Sequence, residues 1–137
     1  MKRRLIWHGL VVVLLGLLTG AAVPAYANPR MGLSAHVGGV MVGTLVALVG
    51  AVWEDIHLSP GGQSALFWTG VYSAYVNWAG VFLAAVFGTG TGTPIAGAGL
   101  AAAPWQEALV AFCLFSGGGV VLVMCVIALL GLRPARA

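Results

Sequence analysis

The sequence predicts an all-α protein, an integral membrane four-helix bundle. Of its 137 residues, 61% are hydrophobic and only 7% are charged, too few to cover the surface of a soluble domain of this size. Four apolar segments reach the roughly 20 residues that an α-helix needs to cross a bilayer. We predict these helices at residues 5–25, 34–53, 65–87 and 105–132, within one transmembrane domain that comprises residues 1–137.

Helix-breaking residues separate the four segments. The first two connectors contain Asn28-Pro29-Arg30 and Ser59-Pro60-Gly61-Gly62, and a glycine- and threonine-rich run from residue 88 to Pro104 forms the third. Cys113 and Cys125 share the last segment about 18 Å apart along the helix, which is beyond disulfide reach. The sequence therefore predicts one bundle without a disulfide.

Basic residues are distributed asymmetrically along the chain. All but Arg30 flank the first and last segments, as Lys2, Arg3, Arg4, Arg133 and Arg136. This distribution predicts a multi-pass protein of a bacterial-type inner membrane with both termini in the cytoplasm. A bundle this small encloses little space of its own, so we expect a homo-oligomer in the lipid bilayer, with no nucleic-acid partner.

The first segment also resembles a secretory signal peptide, because Ala25-Tyr26-Ala27 imitates a cleavage site. We predict that it stays as a helix. Its apolar run is longer than a usual signal sequence, and Gly16-x-x-x-Gly20 is typical of helix packing.

His36 is the main candidate functional residue, because an imidazole within a membrane segment is costly and therefore suggests a function. Gly39 and Gly43 lie near its side of the helix and make the adjacent surface flat. Two explanations fit this surface: another helix packs there, or a planar ligand such as haem lies there with His36 as its axial ligand. Spacing alone favours the helix.

Small and polar residues share one face of the third segment, namely Gly70, Ser73, Asn77, Gly80 and Ala84. We expect this face to point inward, with Asn77 in the protein interior as an interhelical hydrogen-bonding group or a catalytic contact. The aromatic residues opposite, among them Tyr75 and Trp78, indicate lipid contact or packing.

Two further ionisable residues lie near helix ends. His8 is expected to anchor the first helix, and Glu107 to cap the fourth helix or to handle protons.

Several short motifs occur together in one order: Asn28-Pro-Arg-Met-Gly-Leu-Ser-Ala-His36, Tyr75-Val-Asn77-Trp78, Pro94-Ile-Ala-Gly97 and Trp105-Gln-Glu-Ala-Leu-Val110. With them the chain resembles the hydroxylaminobenzene mutase family and, more distantly, the styrene oxide isomerases. The resemblance implies a membrane isomerase that converts an aryl hydroxylamine, or a related small aromatic substrate, into an ortho-aminophenol. It also implies a haem b held between the subunits of a trimer.

In this comparison His36 would be the metal ligand, with Gly39 and Gly43 beside the cofactor. Asn77, or the hydroxyl of Tyr72 or Tyr75, would be the catalytic group that orients the substrate or handles protons.

The chain departs from the mutase motif at Gly38 and Val42, where that motif has a glutamate and an asparagine. This departure leaves two alternatives open: a different substrate, or a non-catalytic haem-binding or structural four-helix membrane protein.

Overall fold

The computed structural model describes residues 1–133 as four long helices, the first three joined by short connectors and the last two by the longer connector 88–103. Their bounds are Lys2–Ala21 (α1), Pro29–Ala51 (α2), Pro60–Phe87 (α3) and Pro104–Gly131 (α4), with 3-10 turns at Val23–Ala25 and Trp53–Asp55. The described residues contain no strand, and each helix is long and apolar enough to cross a membrane. The all-α prediction is thereby confirmed. Arg136, one basis for the predicted orientation, lies outside the described residues.

Helices α2 and α3 begin before the apolar segments that predicted them, because each has a side-chain cap followed by proline. Asn28 accepts the backbone N–H of Met31 at 3.2 Å, and Ser59 accepts that of Gly62 at 3.3 Å. A polar cap and a proline at the first position favour a helix start, whereas we predicted that these residues would be connectors. As a result, His36 lies about two turns inside α2.

Helix α1 ends at Ala21, earlier than predicted. The predicted last turn is instead the 3-10 turn Val23–Ala25, which contains Pro24. Proline disfavours the helical conformation in the residue before it, and this explains the earlier end.

Helices α1 and α2 pack antiparallel through glycine. A Cβ atom added to Gly9 would lie 2.6 Å from the oxygen of Gly43, and one added to Gly16 would lie 2.9 Å from the nitrogen of Val40. A larger residue does not fit such short distances, so the two backbones approach closely only because these residues are small. Gly16 and Gly20 both face α2, which confirms them as a packing pair.

Helices α3 and α4 pack antiparallel in a similar way. A Cβ atom added to Gly80 would lie 2.7 Å from the Cβ of Cys113, and one added to Gly117 would lie 2.8 Å from the nitrogen of Asn77. The predicted small face of α3 is buried at Gly70, Ser73, Gly80 and Ala84.

The aromatic face of α3 is also packed inside the bundle. Phe67 is only 2% exposed, and the indole N–H of Trp78 donates to Thr19 of α1. Packing, one of the two roles expected for this face, therefore describes these residues.

The two ends of the bundle differ in chemistry. At the basic end, Lys2 Nζ lies 3.0 Å from Glu54 Oε1, and the backbone N–H of His57 donates to the oxygen of Gly131 at 2.9 Å. The opposite end, which we call the loop end, contains the connector 88–103. The first turns of α2, and with them His36, lie toward the loop end.

Candidate functional site

His36 is half-buried and packs against α1. Its Nδ1 lies 2.9 Å from the backbone oxygen of Gly16. A carbonyl oxygen only accepts hydrogen bonds, so Nδ1 carries the hydrogen and Nε2 of the neutral ring keeps a lone pair. Gly20 makes room for the ring, because a Cβ atom there would lie 2.5 Å from Nδ1. Helix α1 therefore sets both the tautomer and the position of the imidazole.

This imidazole fits the role of an axial haem ligand. Histidines that bind metals commonly donate their second ring N–H to a backbone carbonyl, as His36 does. Within residues 1–133 no three His, Cys, Asp or Glu side chains group together to hold a bare metal ion. A haem iron is already bound by its macrocycle and requires as little as one protein ligand.

Gly39 and Gly43, which were predicted to lie beside the cofactor, pack against other parts of the protein. A Cβ atom on Gly39 would lie 2.8 Å from Cδ1 of Trp78 and 2.9 Å from Cα of Gly16. A Cβ atom on Gly43 would lie 2.6 Å from the oxygen of Gly9. Of the two explanations for this flat surface, helix packing describes both glycines in the structure.

Asn77 lines an open groove of about 460 Å³ between α2, α3 and α4. The groove is lined by Gly38, Met41, Val42, Leu45, Asn77, Gly118 and Val121, of which only Asn77 has a polar side chain. Asn77 is half-buried rather than interior, because its backbone packs on Gly117 while its side chain contributes to the groove. An apolar groove with one amide suits a small aromatic molecule that carries a single polar group.

Gly38 and Val42, where the chain departs from the mutase motif, line this same groove. A glutamate and an asparagine at these positions would add polar groups to the α2 side of the groove. In this chain the α2 side is apolar, so any polar recognition within the groove lining depends on Asn77.

The hydroxyls of Tyr72 and Tyr75 point to other partners. Tyr72 donates to Oγ of Ser116 on α4 at 3.0 Å, while the oxygen of Tyr75 lies 3.1 Å from Nδ1 of His8 on α1. Neither tyrosine lines the groove. The structure therefore does not bring the three predicted catalytic residues together.

Trp78 and Phe82, from the α3 face for which sequence analysis expected only lipid contact or packing, form an aromatic cluster with Tyr26 beside the turn of α1 that contacts His36. Trp78 donates to Oγ1 of Thr19 at 3.2 Å and stacks on Phe82 with ring centroids 5.2 Å apart. Tyr26 packs edge-on against Phe82, and its hydroxyl donates to the backbone oxygen of Thr19. The i, i+4 spacing of Trp78 and Phe82 was the available signal. This cluster supports the turn of α1 that contacts His36.

Glu107 organises the connector at the loop end. Its carboxylate accepts backbone N–H groups from Gly90 at 2.9 Å, Thr91 at 3.1 Å and Ala102 at 3.2 Å. The predicted capping role belongs to Gln106, whose side chain accepts the backbone N–H of Ala103 at 2.9 Å, whereas Glu107 holds the preceding loop.

Asn28 links that connector to the start of α2. Its Nδ2 donates to the oxygen of Ala96 at 3.0 Å, and its backbone N–H donates to Ala85 at 2.9 Å. Asn28 is 2% exposed, and both its side-chain amide and its backbone N–H are bonded within the protein. The segment that leads to His36 is thereby fastened to α3 and to the loop.

Known proteins resemble this chain over most or all of its length. The sequence profile of the family described as styrene oxide isomerase matches residues 1–133. Hydroxylaminobenzene mutase HabB of Ectopseudomonas oleovorans is 43% identical over 100% of this chain and 84% of its own length. Hydroxylaminobenzene mutase HabA of the same organism is 43% identical over 85% of this chain and 87% of its own length. No solved structure matches.

Proposed function

The chain belongs to the styrene oxide isomerase family and is an isomerase; from this premise we propose that it rearranges an aryl hydroxylamine into an ortho-aminophenol. In this reaction the N–O bond breaks, a C–O bond forms at the ortho carbon and the ortho proton moves to nitrogen. Reactant and product are isomers, so no external oxidant is needed. The observation that carries this proposal is the 43% identity to hydroxylaminobenzene mutase HabB along the whole chain.

We further propose that His36 holds a haem b through Nε2. A bound haem iron supplies a Lewis acid for the hydroxylamine oxygen. The contribution of the chain itself is positional: the Gly16 carbonyl keeps Nδ1 protonated, so that Nε2 is the nitrogen available for ligation. The tight contact with Gly20 restricts rotation of the imidazole.

Asn77 is the proposed substrate-orienting residue. His36 is not among the residues that line its groove, so the haem that meets a substrate there would be held by a neighbouring copy of the chain. The groove that it lines offers an aromatic ring an apolar surface, and the amide offers one donor and one acceptor for a polar substituent. Tyr72 and Tyr75 are less suitable for this role because their hydroxyls already bond to Ser116 and His8.

We also propose that the functional unit is a homo-oligomer, a trimer by resemblance, in a bacterial-type inner membrane with both termini in the cytoplasm. The Asn77 groove is open toward the outside of a single chain. A neighbouring copy against α2 and α4 would close it and exclude lipid from the amide.

The proposed reaction can be measured on membranes that contain the expressed protein. Incubation with phenylhydroxylamine is expected to yield 2-aminophenol, while His36→Ala should abolish both this product and the haem Soret band of the purified protein. Gly119→Ala is a matched control, because a Cβ atom there meets no atom within 4 Å.

Styrene oxide is the alternative substrate, favoured by the family profile that matches residues 1–133. Conversion of styrene oxide without conversion of phenylhydroxylamine would overturn the proposed substrate. A purified protein that is colourless after expression with ample haem, yet active, would overturn the haem role of His36.

A further inference from the structure

The first turns of α1 form a pocket at the basic end of the bundle. Arg3, Arg4, Trp7 and His8 line this pocket, which has a volume of about 490 Å³. His8 is held in place by its contact with the hydroxyl of Tyr75 at 3.1 Å. This pocket is separate from the Asn77 groove and has no part in the proposed reaction.

The pocket is positively charged, and no carboxylate among residues 1–133 forms an ion pair with its arginines. Among residues 1–133 one ion pair occurs, between Lys2 and Glu54, so neither Arg3 nor Arg4 is paired there with a carboxylate. Cζ of Arg4 lies 5.4 Å from the ring centroid of Phe67, a cation–π contact that leaves the guanidinium N–H groups available. Two guanidinium groups with free donors are suited to bind a phosphate.

An apolar surface continues from the pocket along the same side of α1. Trp7, Leu10, Leu14 and Leu17 follow one another at helical spacing and are each at least 50% exposed. The opposite side of the helix, which includes Leu5 and Val12, is buried. Since α1 is about as long as the hydrocarbon core is thick, its first turn lies near the level of the lipid headgroups.

We propose that this surface is a binding site for an anionic phospholipid. The phosphate binds to Arg3 and Arg4 in the pocket, and an acyl chain lies along the exposed leucines of α1. Trp7 lies between the two parts, at the interfacial depth where tryptophan is enriched. The phosphate chemistry is shared with free inorganic phosphate, but only a lipid also uses the apolar surface. A second copy of the chain on this face would bring guanidinium groups next to one another, which is unfavourable.

The experiment uses the full-length protein in a mild detergent and native mass spectrometry. Phosphatidylglycerol, phosphatidylcholine and inorganic phosphate are titrated separately, and the population of bound species is measured at two salt concentrations. We expect phosphatidylglycerol to bind more tightly than phosphatidylcholine, and more weakly as salt increases. Each arginine near an anionic headgroup is worth about a fivefold change in affinity, so Arg3→Ala/Arg4→Ala should lose roughly 25-fold.

Two variants separate the site from general charge effects. Arg30→Ala removes a basic residue at the loop end and should leave phosphatidylglycerol binding unchanged. Arg3→Lys/Arg4→Lys keeps the charge that guides membrane insertion but lacks the bidentate guanidinium donors, and should bind phosphatidylglycerol severalfold more weakly. It therefore tests the pocket if the alanine variant fails to insert, and unchanged binding by the lysine variant would then overturn the proposal.

Three further results would overturn the proposal. Equal affinity for the two phospholipids would remove the charge selectivity. Full binding by the double alanine variant would show that Arg3 and Arg4 do not bind the phosphate. Inorganic phosphate that displaces the lipid at equal concentration would identify a site for the free ion instead.

Discussion

At the residue scale, the chemistry of His36 depends on one backbone atom of a neighbouring helix. The Gly16 oxygen fixes the hydrogen on Nδ1, and Gly20 leaves the space in which the ring lies. Neither residue can bind a metal through a side chain. Both nevertheless determine which ring nitrogen is available and in what position.

We predict that Gly20→Ala weakens haem binding although it keeps the ligand. The added Cβ atom would lie 2.5 Å from Nδ1 of His36 and would push the imidazole away from its partner. Loss of such an orienting contact typically lowers metal affinity about 10- to 100-fold. Haem titration followed at the Soret band measures this effect, with Gly119→Ala as the control. Unchanged affinity in Gly20→Ala would contradict the orienting role of α1.

Asn77 yields a second prediction at this scale. Asn77→Val removes the one polar side chain of the groove at similar volume, and we expect kcat/KM for phenylhydroxylamine to fall roughly 5- to 30-fold, the effect of one lost hydrogen bond. Val42→Asn in the same background adds an amide from the α2 side of the groove and should restore part of the activity. Full activity of Asn77→Val would exclude the amide from substrate binding.

At the scale of elements, two glycine-lined helix pairs and one loop set the positions of the candidate site. The pair α1 and α2 carries His36, the pair α3 and α4 carries Asn77, and the connector 88–103 fastens the two pairs at the loop end. The connector contains no helix or strand. It is held by backbone hydrogen bonds within its own turns and by side chains, Glu107 above all, that bond to its backbone.

We expect Glu107→Gln to loosen this connector. An amide has one acceptor oxygen, whereas the carboxylate of Glu107 accepts three backbone N–H groups. Elastase, which cleaves next to small residues, should therefore cut within residues 88–103 severalfold faster in the detergent-solubilised variant. Glu54→Gln at the basic end is the matched control, because Glu54 is 77% exposed and takes part only in a surface ion pair. Equal cleavage rates would show that the loop is ordered without Glu107.

A pair of alanine variants on α2 measures the helix contact. Gly43→Ala places a Cβ atom 2.6 Å from the oxygen of Gly9 and should destabilise the protein by about 1–3 kcal/mol through overpacking. Gly38→Ala meets no atom within 4 Å and should be neutral or slightly stabilising, since alanine favours a helix over glycine. Unfolding by titration with a denaturing detergent compares the two. Equal stabilities would contradict the close packing of α1 on α2.

At the scale of the whole molecule, the open Asn77 groove predicts an assembly of several copies. We expect light scattering in mild detergent to give the mass of three copies of the 14.0 kDa chain. Gly118→Leu adds a side chain to the groove lining, and its Cβ atom meets no atom of its own chain within 4 Å. This variant should reduce the mass if a neighbouring copy covers the groove. Gly119→Leu changes the adjacent residue, which does not line the groove, and serves as the control. A single-copy mass for the unaltered protein would leave the groove facing lipid.

Composition and segment length were sufficient to predict the four helices, because membrane spans carry a strong apolar signal. Helix starts were less well predicted, since the caps at Asn28 and Ser59 lie outside the apolar segments. Periodicity correctly indicated the buried small face of α3. It could not show that Asn77 lines an open groove, nor that Tyr72 and Tyr75 bond to different helices. Both depend on which helix packs against each face of α3, and the periodicity of one segment does not contain that information.

The hydrogen bond between Gly16 and His36 links the proposed haem binding to whether the first helix stays on the protein. Cleavage after Ala27, at the site that imitates a signal peptide, would remove the acceptor of Nδ1 together with α1. A chain processed in this way would retain His36 but lose the group that selects its tautomer. The intact mass of each preparation and its haem content should therefore vary together, and the N-terminus should be established before any preparation is judged unable to bind haem.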